Sequence, residues 1–324
     1  MSKRAIITGI YGQDASYLAE FLLEKNYDVY GLFKRVSTGN VTTNIRSIAN
    51  SPRLHLVEAD ICEHTQMSSL IMDIRPDEFY NLAAQSHVGY SFKIPVETFR
   101  VDAEAVIGQL HSISKLSPNT RYYQASTSEL FGGLTCPSSG YTEQSPFHPR
   151  SPYAIAKMAA YNSVVNAREA YGVHASNGIL FNHSSPRRGH DFATRKITNG
   201  IASIKLGLTD KLNMGNLDAF RDEGHSKDYV EAMWLLLQQE KPDDYVVATG
   251  TGSSIRGMLT YTCELAGLDI NEVYVPDQRY MRPSDVPVLL GDPSKIKKLG
   301  WKPKYAWKEL LKEMYENDLK ELKK

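Results

Sequence analysis

The sequence has no excess of either charge, few cysteines and no long hydrophobic run. Lys plus Arg and Asp plus Glu each number 37 among 324 residues, so the formal net charge is zero. A neutral chain without a basic block lacks the electrostatic signature of a protein that binds nucleic acid or an anionic membrane. We therefore expect neither of these partners, and we expect a small-molecule substrate instead.

The three cysteines are Cys62, Cys136 and Cys263. An odd number without Cys-x-x-Cys spacing argues against a disulfide framework and a zinc site, and favours a reducing compartment. The apolar run before Gly9 is too short for a signal peptide, and no stretch approaches the length of a membrane span. We expect free thiols, no metal, a cytoplasmic protein and, from its length, two lobes.

The N-terminal residues have the order strand, glycine turn and helix. Arg4–Thr8 is a short apolar strand, residues 9–15 form the turn, and Asp28–Phe33 supplies the next strand of a βαβ unit. Gly9 permits the tight turn, and Gly12 lets backbone amides approach a pyrophosphate at the positive helix end. The pattern indicates a dinucleotide site, with an ordinary βα turn as the alternative.

Basic residues follow the second strand. An NAD enzyme usually has an acid here for the ribose hydroxyl, whereas this sequence has Lys34 and Arg35. We therefore predict NADP as the cofactor, with two solvated loop charges as the alternative. After the third strand, Asp60 is predicted either to contact the adenine or to cap the following helix.

Strands and helices alternate through residue 185. Residues 78–86 read as a strand that runs into a small-residue loop, and Arg121–Ala125 and Val173–Leu180 read as further strands. Helices are predicted at residues 95–114 and 152–171. This alternation is typical of an α/β fold with a Rossmann-like, doubly wound parallel sheet.

A turn at residues 181–189 indicates a domain boundary. We predict an NADP-binding Rossmann domain over residues 1–185, to which part of 215–252 returns. Residues 186–324 are predicted to form a smaller C-terminal α/β domain that binds the substrate.

The most informative stretch is residues 124–157. Ser151 is a good N-cap and Pro152 suits the first helical position, so Tyr153 should lie in the first turn of a helix. Lys157 follows four residues later on the same face. Its ammonium group and the helix terminus should lower the pKa of Tyr153 and make it a base. The alternative is an ordinary snorkelling surface pair.

The strand before this helix should deliver Thr127 and Glu129 into a crevice at its end. The alternative for Glu129 is a carboxylate that merely favours a helix N-terminus. Beyond the boundary, scattered bases would suit a diphosphate, although any one alone could be a surface charge: Arg188, Lys196, Arg221 and Arg282.

With these residues assembled, the sequence resembles the extended short-chain dehydrogenase/reductases and, within them, the branch that dehydrates GDP-mannose. The resemblance covers nearly the whole chain and is most specific at residues 8–18, 81–91, 124–130, 151–157 and 215–234. It implies conversion of GDP-D-mannose to GDP-4-keto-6-deoxy-D-mannose and water, by internal hydride transfer from C4 to C6 through bound NADP. It also implies a homodimer or homotetramer.

The resemblance further implies roles for individual residues. The catalytic positions match Thr127, Glu129, Tyr153 and Lys157. The cofactor contacts match Gly9, Gly12, Gln13, Asp14, Arg35, Asp60, Ile61, Leu82, Ala84, Lys157, His183 and Arg188. The contacts to the nucleotide sugar match Ser86, Asn182, Lys196, Arg221 and Arg282.

The sequence also departs from the family at several positions. Ala15 replaces the last motif glycine, Glu97 stands where a cofactor-contacting tyrosine is usual, and Ser184 replaces the usual glutamate after Asn182-His183. The segment after Arg35 is shorter than in relatives, where it forms an arm to a neighbouring subunit. A dimer and a tetramer therefore both stay open.

Three functions fit such a scaffold: a dehydratase, an epimerase or 4-keto reductase acting on a nucleotide sugar, and a non-catalytic NADP-sensing protein. The presence of all four catalytic positions disfavours the sensor. An epimerase needs the tyrosine–lysine pair but no carboxylate beside the threonine. Glu129 is therefore the residue that discriminates among the enzymes.

Overall fold

The structure is a computed structural model that describes residues 2–35, 43–281 and 283–324. Its strands are β1 Arg4–Thr8, β2 Asp28–Phe33, β3 Leu54–Glu58, β4 Glu78–Asn81, β5 Arg121–Thr127, β6 Ala175–Leu180, β7 Asn182–Ser184, β8 Leu212–Met214, β9 Phe220–His225, β10 Tyr245–Val247, β11 Gly252–Ser254, β12 Tyr274–Pro276 and β13 Val288–Leu289. Its helices are α1 Gln13–Glu24, α2 His64–Ile74, α3 Val88–Ser91, α4 Pro95–Phe99, α5 Ala105–Leu116, α6 Pro152–Tyr171, α7 Ala193–Lys205, α8 Ser226–Gln238, α9 Ile255–Ala266, α10 Ile270–Val273, α11 Ser294–Lys297 and α12 Trp307–Leu322.

A seven-stranded sheet forms the centre of the fold. Its order is β3-β2-β1-β4-β5-β6-β10, and every neighbouring pair in it is parallel. The chain moves outward from β1 in one direction and from β4 in the other, so the direction of winding reverses between these two strands. The predicted doubly wound parallel sheet is confirmed.

Helices cover both faces of this sheet because its strands are apolar on both sides. Ile7 packs in the layer that contains α1 and α8, whereas Ile6 packs in the layer that contains α2, α5 and α6. Both side chains are fully buried. Successive side chains of a strand point to opposite faces, so one short strand serves both layers.

One predicted helix is interrupted. Residues 95–114 were expected to form a single helix, but a π-helical turn at Arg100–Glu104 joins α4 to α5. Such a turn inserts one extra residue into the helix and is frequent at functional sites. Here it carries Asp102, whose side chain is 1% exposed.

The second half of the chain forms smaller sheets. Strand β9 pairs with β7, β11 and β13, and β12 pairs with β8. An apolar core beneath them joins α7, α9 and α12. Strand β10 pairs with β6, and α8 packs against α1. The domain bounds predicted from the sequence stay a prediction.

Two further sequence expectations can be compared with the structure. Cys62, Cys136 and Cys263 are free thiols, as predicted. Within the described ranges, no helix combines the length and the apolar character needed to cross a membrane.

Candidate active site

The residues predicted to form the site follow the carboxyl ends of the central strands. Because parallel strands end at the same edge of a sheet, the segments after β1, β2, β3, β4, β5 and β6 lie along one edge. The reversal of winding between β1 and β4 opens a crevice there, which is where ligands bind in such folds.

The glycine turn after β1 packs closely against neighbouring backbone and leaves little space for side chains. Gly9 has a φ of +71°, and a Cβ atom built on it would lie 3.1 Å from the Cα of Ala83. The amide of Gly12 donates to the carbonyl of Gly9 at 2.8 Å, and Gly12 is the N-cap of α1. This turn therefore presents the positive end of α1 to the crevice.

Gln13 and Asp14 connect this turn to the segment after β6. The Asp14 carboxylate lies 2.7 Å from His183 Nε2, while Ser185 donates a 2.8 Å hydrogen bond to the side-chain oxygen of Gln13. Burial raises the pKa of Asp14, but the charges of His183 and Arg188 outweigh it, so the pKa is lowered overall. These predicted cofactor residues contact one another and line the same cavity.

Of the two bases predicted to serve the cofactor after β2, Lys34 is already paired within the chain. Lys34 Nζ forms a 2.8 Å ion pair with Asp60, which lowers the pKa of Asp60 against the effect of burial. Asp60 does not cap α2, because the N-cap is Glu63, so that alternative is wrong. Arg35 is exposed beyond the end of β2.

One cavity, called the catalytic cavity here, has a volume of about 620 Å³ and contains all four predicted catalytic residues. Thr127, Glu129, Tyr153 and Lys157 line it. Other predicted residues on its wall are Gly9, Gly12, Gln13, Asp14, Leu82, Ala84, Ser86, Asn182, His183 and Arg188. Arg35, Asp60 and Ile61 are not among its lining residues.

Helix α6 positions the tyrosine and the lysine. Ser151 Oγ accepts a 3.1 Å hydrogen bond from the amide of Ala154 and so caps the helix as predicted. Tyr153 is 8% exposed and Lys157 is 3% exposed. The alternative of a snorkelling surface pair is therefore wrong.

The expected lowering of the Tyr153 pKa is not found in the chain itself. Burial raises the pKa of Tyr153, and the negative charges of Asp102 and Glu129 raise it further. Lys157 Nζ instead donates a 3.1 Å hydrogen bond to the carbonyl of Ala125 and lies 5.8 Å from the centre of the tyrosine ring. A hydrogen bond with Thr127 and the charge of Arg188 act in the opposite, lowering direction.

Strand β5 delivers the other two catalytic positions. Thr127 is its last residue, and its Oγ1 accepts a 3.2 Å hydrogen bond from the amide of Glu129. Glu129 lies in the 3₁₀ turn Ser128–Leu130. Three residues sum few peptide dipoles, which weakens the alternative that Glu129 merely favours a helix terminus.

A second cavity of about 660 Å³ adjoins the catalytic cavity and shares Asn182 and Arg188 with it. Lys196 Nζ lies in its wall, 2.9 Å from the centre of the Tyr280 ring, and donates no hydrogen bond to the described residues. An ammonium group carries three donors, so this buried one fits an anionic ligand.

Arg221 lines the second cavity as well, but its guanidinium is already engaged. It donates to the carbonyls of Phe220 and Val286, each at 2.8 Å, and pairs with Asp285 at 3.4 Å. The predicted residue Arg282 lies outside the described residues. No group of metal-ligating side chains is found in the described part of the chain.

Sequence reasoning missed Asp102. Its Oδ1 accepts a 2.8 Å hydrogen bond from the amide of Gln85, and its buried Oδ2 has no partner among the described residues. Burial raises its pKa to about 6, although the charge of Lys157 acts against this. The available signal was an acid on the apolar stripe that continues through Ala105 and Val106.

The fold and the site together define a dinucleotide-binding α/β enzyme with a tyrosine–lysine pair, as in the extended short-chain dehydrogenase/reductases. A dTDP-glucose 4,6-dehydratase from Bacillus anthracis, solved with NAD, superposes with a TM-score of 0.86 at 20% identity over 99% of this chain and 98% of its own. RMD from Pseudomonas aeruginosa, solved with NADPH, gives a TM-score of 0.81 at 21% identity over 99% and 100%.

Comparison of sequences is more specific. The model of the GDP-mannose 4,6 dehydratase family matches residues 6–314. GDP-mannose 4,6 dehydratase 2 of Arabidopsis thaliana is 50% identical over 328 residues, which are 98% of this chain and 87% of that protein. The chain therefore belongs to the GDP-mannose 4,6-dehydratase family.

Replacing Asp102 by Asn should flatten the pH dependence of stability. A carboxyl whose pKa is raised to about 6 by folding binds more protons in the folded state, so the free energy of unfolding falls as pH rises toward and through 6. Between pH 5 and pH 7.5, ionisation of this group should lower the free energy of unfolding of the wild type by about 1.5 kcal/mol. The variant should not show this decrease.

Urea unfolding at the two pH values measures this difference. Asp73→Asn, which changes an exposed aspartate of α2, is the matched control. The same pH slope for Asp102→Asn and wild type would contradict the prediction.

Proposed function

We propose that this protein is a GDP-mannose 4,6-dehydratase, which converts GDP-D-mannose to GDP-4-keto-6-deoxy-D-mannose and water with hydride moving internally from C4 to C6. The observation that carries the proposal is the meeting of Thr127, Glu129, Tyr153 and Lys157 on the wall of one cavity. Its second support is that relatives named for this activity are 43–50% identical to the chain over at least 98% of its length.

The proposed cofactor is a pyridine nucleotide held in the catalytic cavity, and specifically NADP. Gly9 and Gly12 form a tight turn that lines the catalytic cavity at the N-terminus of α1, and the Arg188 Nε atom is buried without a hydrogen-bond partner among the described residues. The fold neighbours hold NAD in one case and NADPH in the other, so the fold does not choose between them. The choice of NADP rests on Arg35.

When bound, NADP⁺ supplies a hydride acceptor and a positive charge beside the sugar. Tyr153 takes the proton from the C4 hydroxyl, and Thr127, which hydrogen-bonds with the phenol, holds the reacting oxygen. Because burial raises the pKa of Tyr153, this base needs positive charge nearby. Lys157 and Arg188 provide such charge from the chain.

Glu129 provides the step that defines a dehydratase. Once C4 is a ketone, the proton on C5 is acidic enough for a positioned carboxylate to remove it. The protonated Glu129 then donates to the C6 oxygen, which leaves as water. Hydride returns to C6, and the proton that Tyr153 took from the C4 hydroxyl is released to balance the proton that C5 receives. The sugar loses one water and no external reductant is consumed.

The second cavity is the proposed site of the nucleotide sugar. Lys196 and Arg221 supply positive charge there for the diphosphate, and Ser86 and Asn182 lie on the wall that leads to the catalytic residues. Arg282 is proposed as a further contact on the basis of the sequence alone. The proposed Rossmann domain of residues 1–185 and substrate domain of 186–324 would meet along this path.

A homodimer or homotetramer in the cytoplasm completes the proposal. Val96 and Phe99 on α4, Ile107 on α5 and Ile155 on α6 are apolar side chains that are 44–81% exposed. Helix α6 packs against both α4 and α5, and each of the three helices carries at least one of these exposed side chains. Apolar surface of this kind is typical of protein–protein contacts.

Arg35→Ala should weaken NADP binding roughly 10- to 100-fold and change NAD binding by no more than about twofold, because a charge-assisted fork to the 2′-phosphate is lost. Lys34→Ala is the matched control and should lose less, since Lys34 already pairs with Asp60. Titration with both dinucleotides measures the ratio. Equal affinity of the wild type for the two, or extraction of NAD alone from purified protein, would contradict NADP.

Tyr153→Phe should lower kcat by a factor of about one hundred to ten thousand with KM nearly unchanged, the pattern for a group that acts in the transition state. Steady-state kinetics on GDP-mannose test this. Tyr161→Phe removes a hydroxyl from the same helix, where it bonds to Asp244, and serves as the control. A merely twofold loss in Tyr153→Phe would show that another group is the base.

Glu129→Gln keeps the size of the side chain but removes the base, so it should permit oxidation at C4 and block elimination. Mass spectrometry of GDP-mannose incubated without reductant should show loss of one water with wild type and none with the variant. Glu143→Gln, outside both cavities, is the control.

Unimpaired water loss by Glu129→Gln would refute the role of this residue and return the epimerase or reductase to consideration. Absence of any reaction with wild type would point to another nucleotide sugar or to a non-catalytic sensor.

A further inference from the structure

Glu223 is a buried carboxylate in the wall of the second cavity. It lies on β9 and is 3% exposed. Parallel pairing of β9 with β7 places it beside Asn182, and Asn182 lines both the second and the catalytic cavity. Glu223 is therefore located close to the junction of the two cavities.

The carboxylate of Glu223 is only partly satisfied by the chain. Burial raises its pKa, while a hydrogen bond from Ser184 and the charge of Arg188 lower it. Its Oε1 atom is buried and accepts no hydrogen bond from the described residues. A buried acceptor without a donor is costly, so the position is suited to a ligand that brings one.

The carboxylate of the adjacent residue Asp222, in contrast, has hydrogen bonds from the chain to both of its oxygens. Its Oδ1 accepts from the amide and hydroxyl of Thr249, at 2.9 and 2.7 Å, and its Oδ2 accepts from the amide of Gly250 at 2.9 Å. Alternate residues of a strand point to opposite faces, and Asp222 lines neither cavity. The unsatisfied oxygen is thus specific to the cavity side of β9.

The charges around the second cavity indicate which part of a ligand meets Glu223. A phosphate is attracted to Lys196 and Arg221 but is repelled by a buried carboxylate. The ligand group that donates a hydrogen bond to Glu223 must therefore be neutral or positively charged. In a nucleotide sugar, the hydroxyl groups of the hexose are such donors and follow directly after the diphosphate.

We propose that Glu223 binds a hydroxyl group of the hexose and thereby selects the sugar of the substrate. This inference rests on the proposed function. The hydroxyl donates to the buried oxygen, while Ser184 keeps its own hydrogen bond to the carboxylate. The alternative is that Glu223 acts only through Arg188, as a counter-charge that positions this side chain toward the cofactor.

The test compares Glu223→Gln with Asp222→Asn, each made in a Tyr153→Phe background so that the substrate persists. Calorimetric titration with GDP-mannose, GDP and NADP gives three affinities for each protein. Glu223→Gln should weaken GDP-mannose roughly 10- to 100-fold and leave GDP and NADP within about twofold, because only the sugar contact loses its charged acceptor. Asp222→Asn should leave the ratio of GDP-mannose to GDP affinity unchanged.

Equal weakening of GDP and GDP-mannose, or weaker NADP binding, would show that Glu223 acts through Arg188 and would overturn the inference. Unchanged GDP-mannose binding would also overturn it and would leave the proposed function intact. Failure of the Tyr153→Phe parent to bind GDP-mannose would overturn both. If Glu223→Gln does not fold, Glu223→Asp withdraws the carboxylate by one methylene, and the same selective loss for GDP-mannose is expected.

Discussion

The hydrogen bond between Asp14 and His183 is the contact on which the site depends. It joins the first turn of α1 to β7 at 2.7 Å, and the imidazole is fixed further by Phe181, whose carbonyl lies 2.7 Å from Nδ1, and by stacking on Tyr229. The glycine turn and the segment that leads to the second cavity therefore keep one relative position. Residues predicted as cofactor contacts thus also hold the two cavities together.

Most of the fold could be predicted because its signals are local. At residues 4–24, two apolar runs flank turn glycines, which predicts a strand, a turn and a helix. Ser151 and Pro152 indicate the start of α6, because serine caps a helix and proline suits its first position. The π-helical turn at Arg100–Glu104 could not be predicted, because it depends on how this helix packs against α6 and the loop at Gln85.

The sequence predicted most residues of the site, but it did not predict their pKa values or their ion pairs. Sequence spacing places Lys157 one turn from Tyr153, yet the pKa of the phenol depends on Asp102, a residue distant in sequence. Likewise, Lys34 was expected to serve the cofactor, but it pairs with Asp60 across two strand ends. Charges that meet through tertiary packing leave no periodic pattern in the sequence.

Glu223 escaped notice for a related reason. The six residues of β9 are almost all buried although most are polar, so the alternation that identifies the cavity face of a strand is absent. Glu223 has a buried oxygen, and Lys196 and Arg188 each have a buried nitrogen, without a hydrogen-bond partner among the described residues, and all three side chains line the second cavity. A ligand that carries anionic phosphates next to neutral hydroxyls satisfies both kinds of group at once, whereas phosphate alone or a free sugar satisfies one kind. On the wall of the second cavity, the buried atoms that lack a hydrogen-bond partner among the described residues therefore favour a ligand that carries both kinds of group.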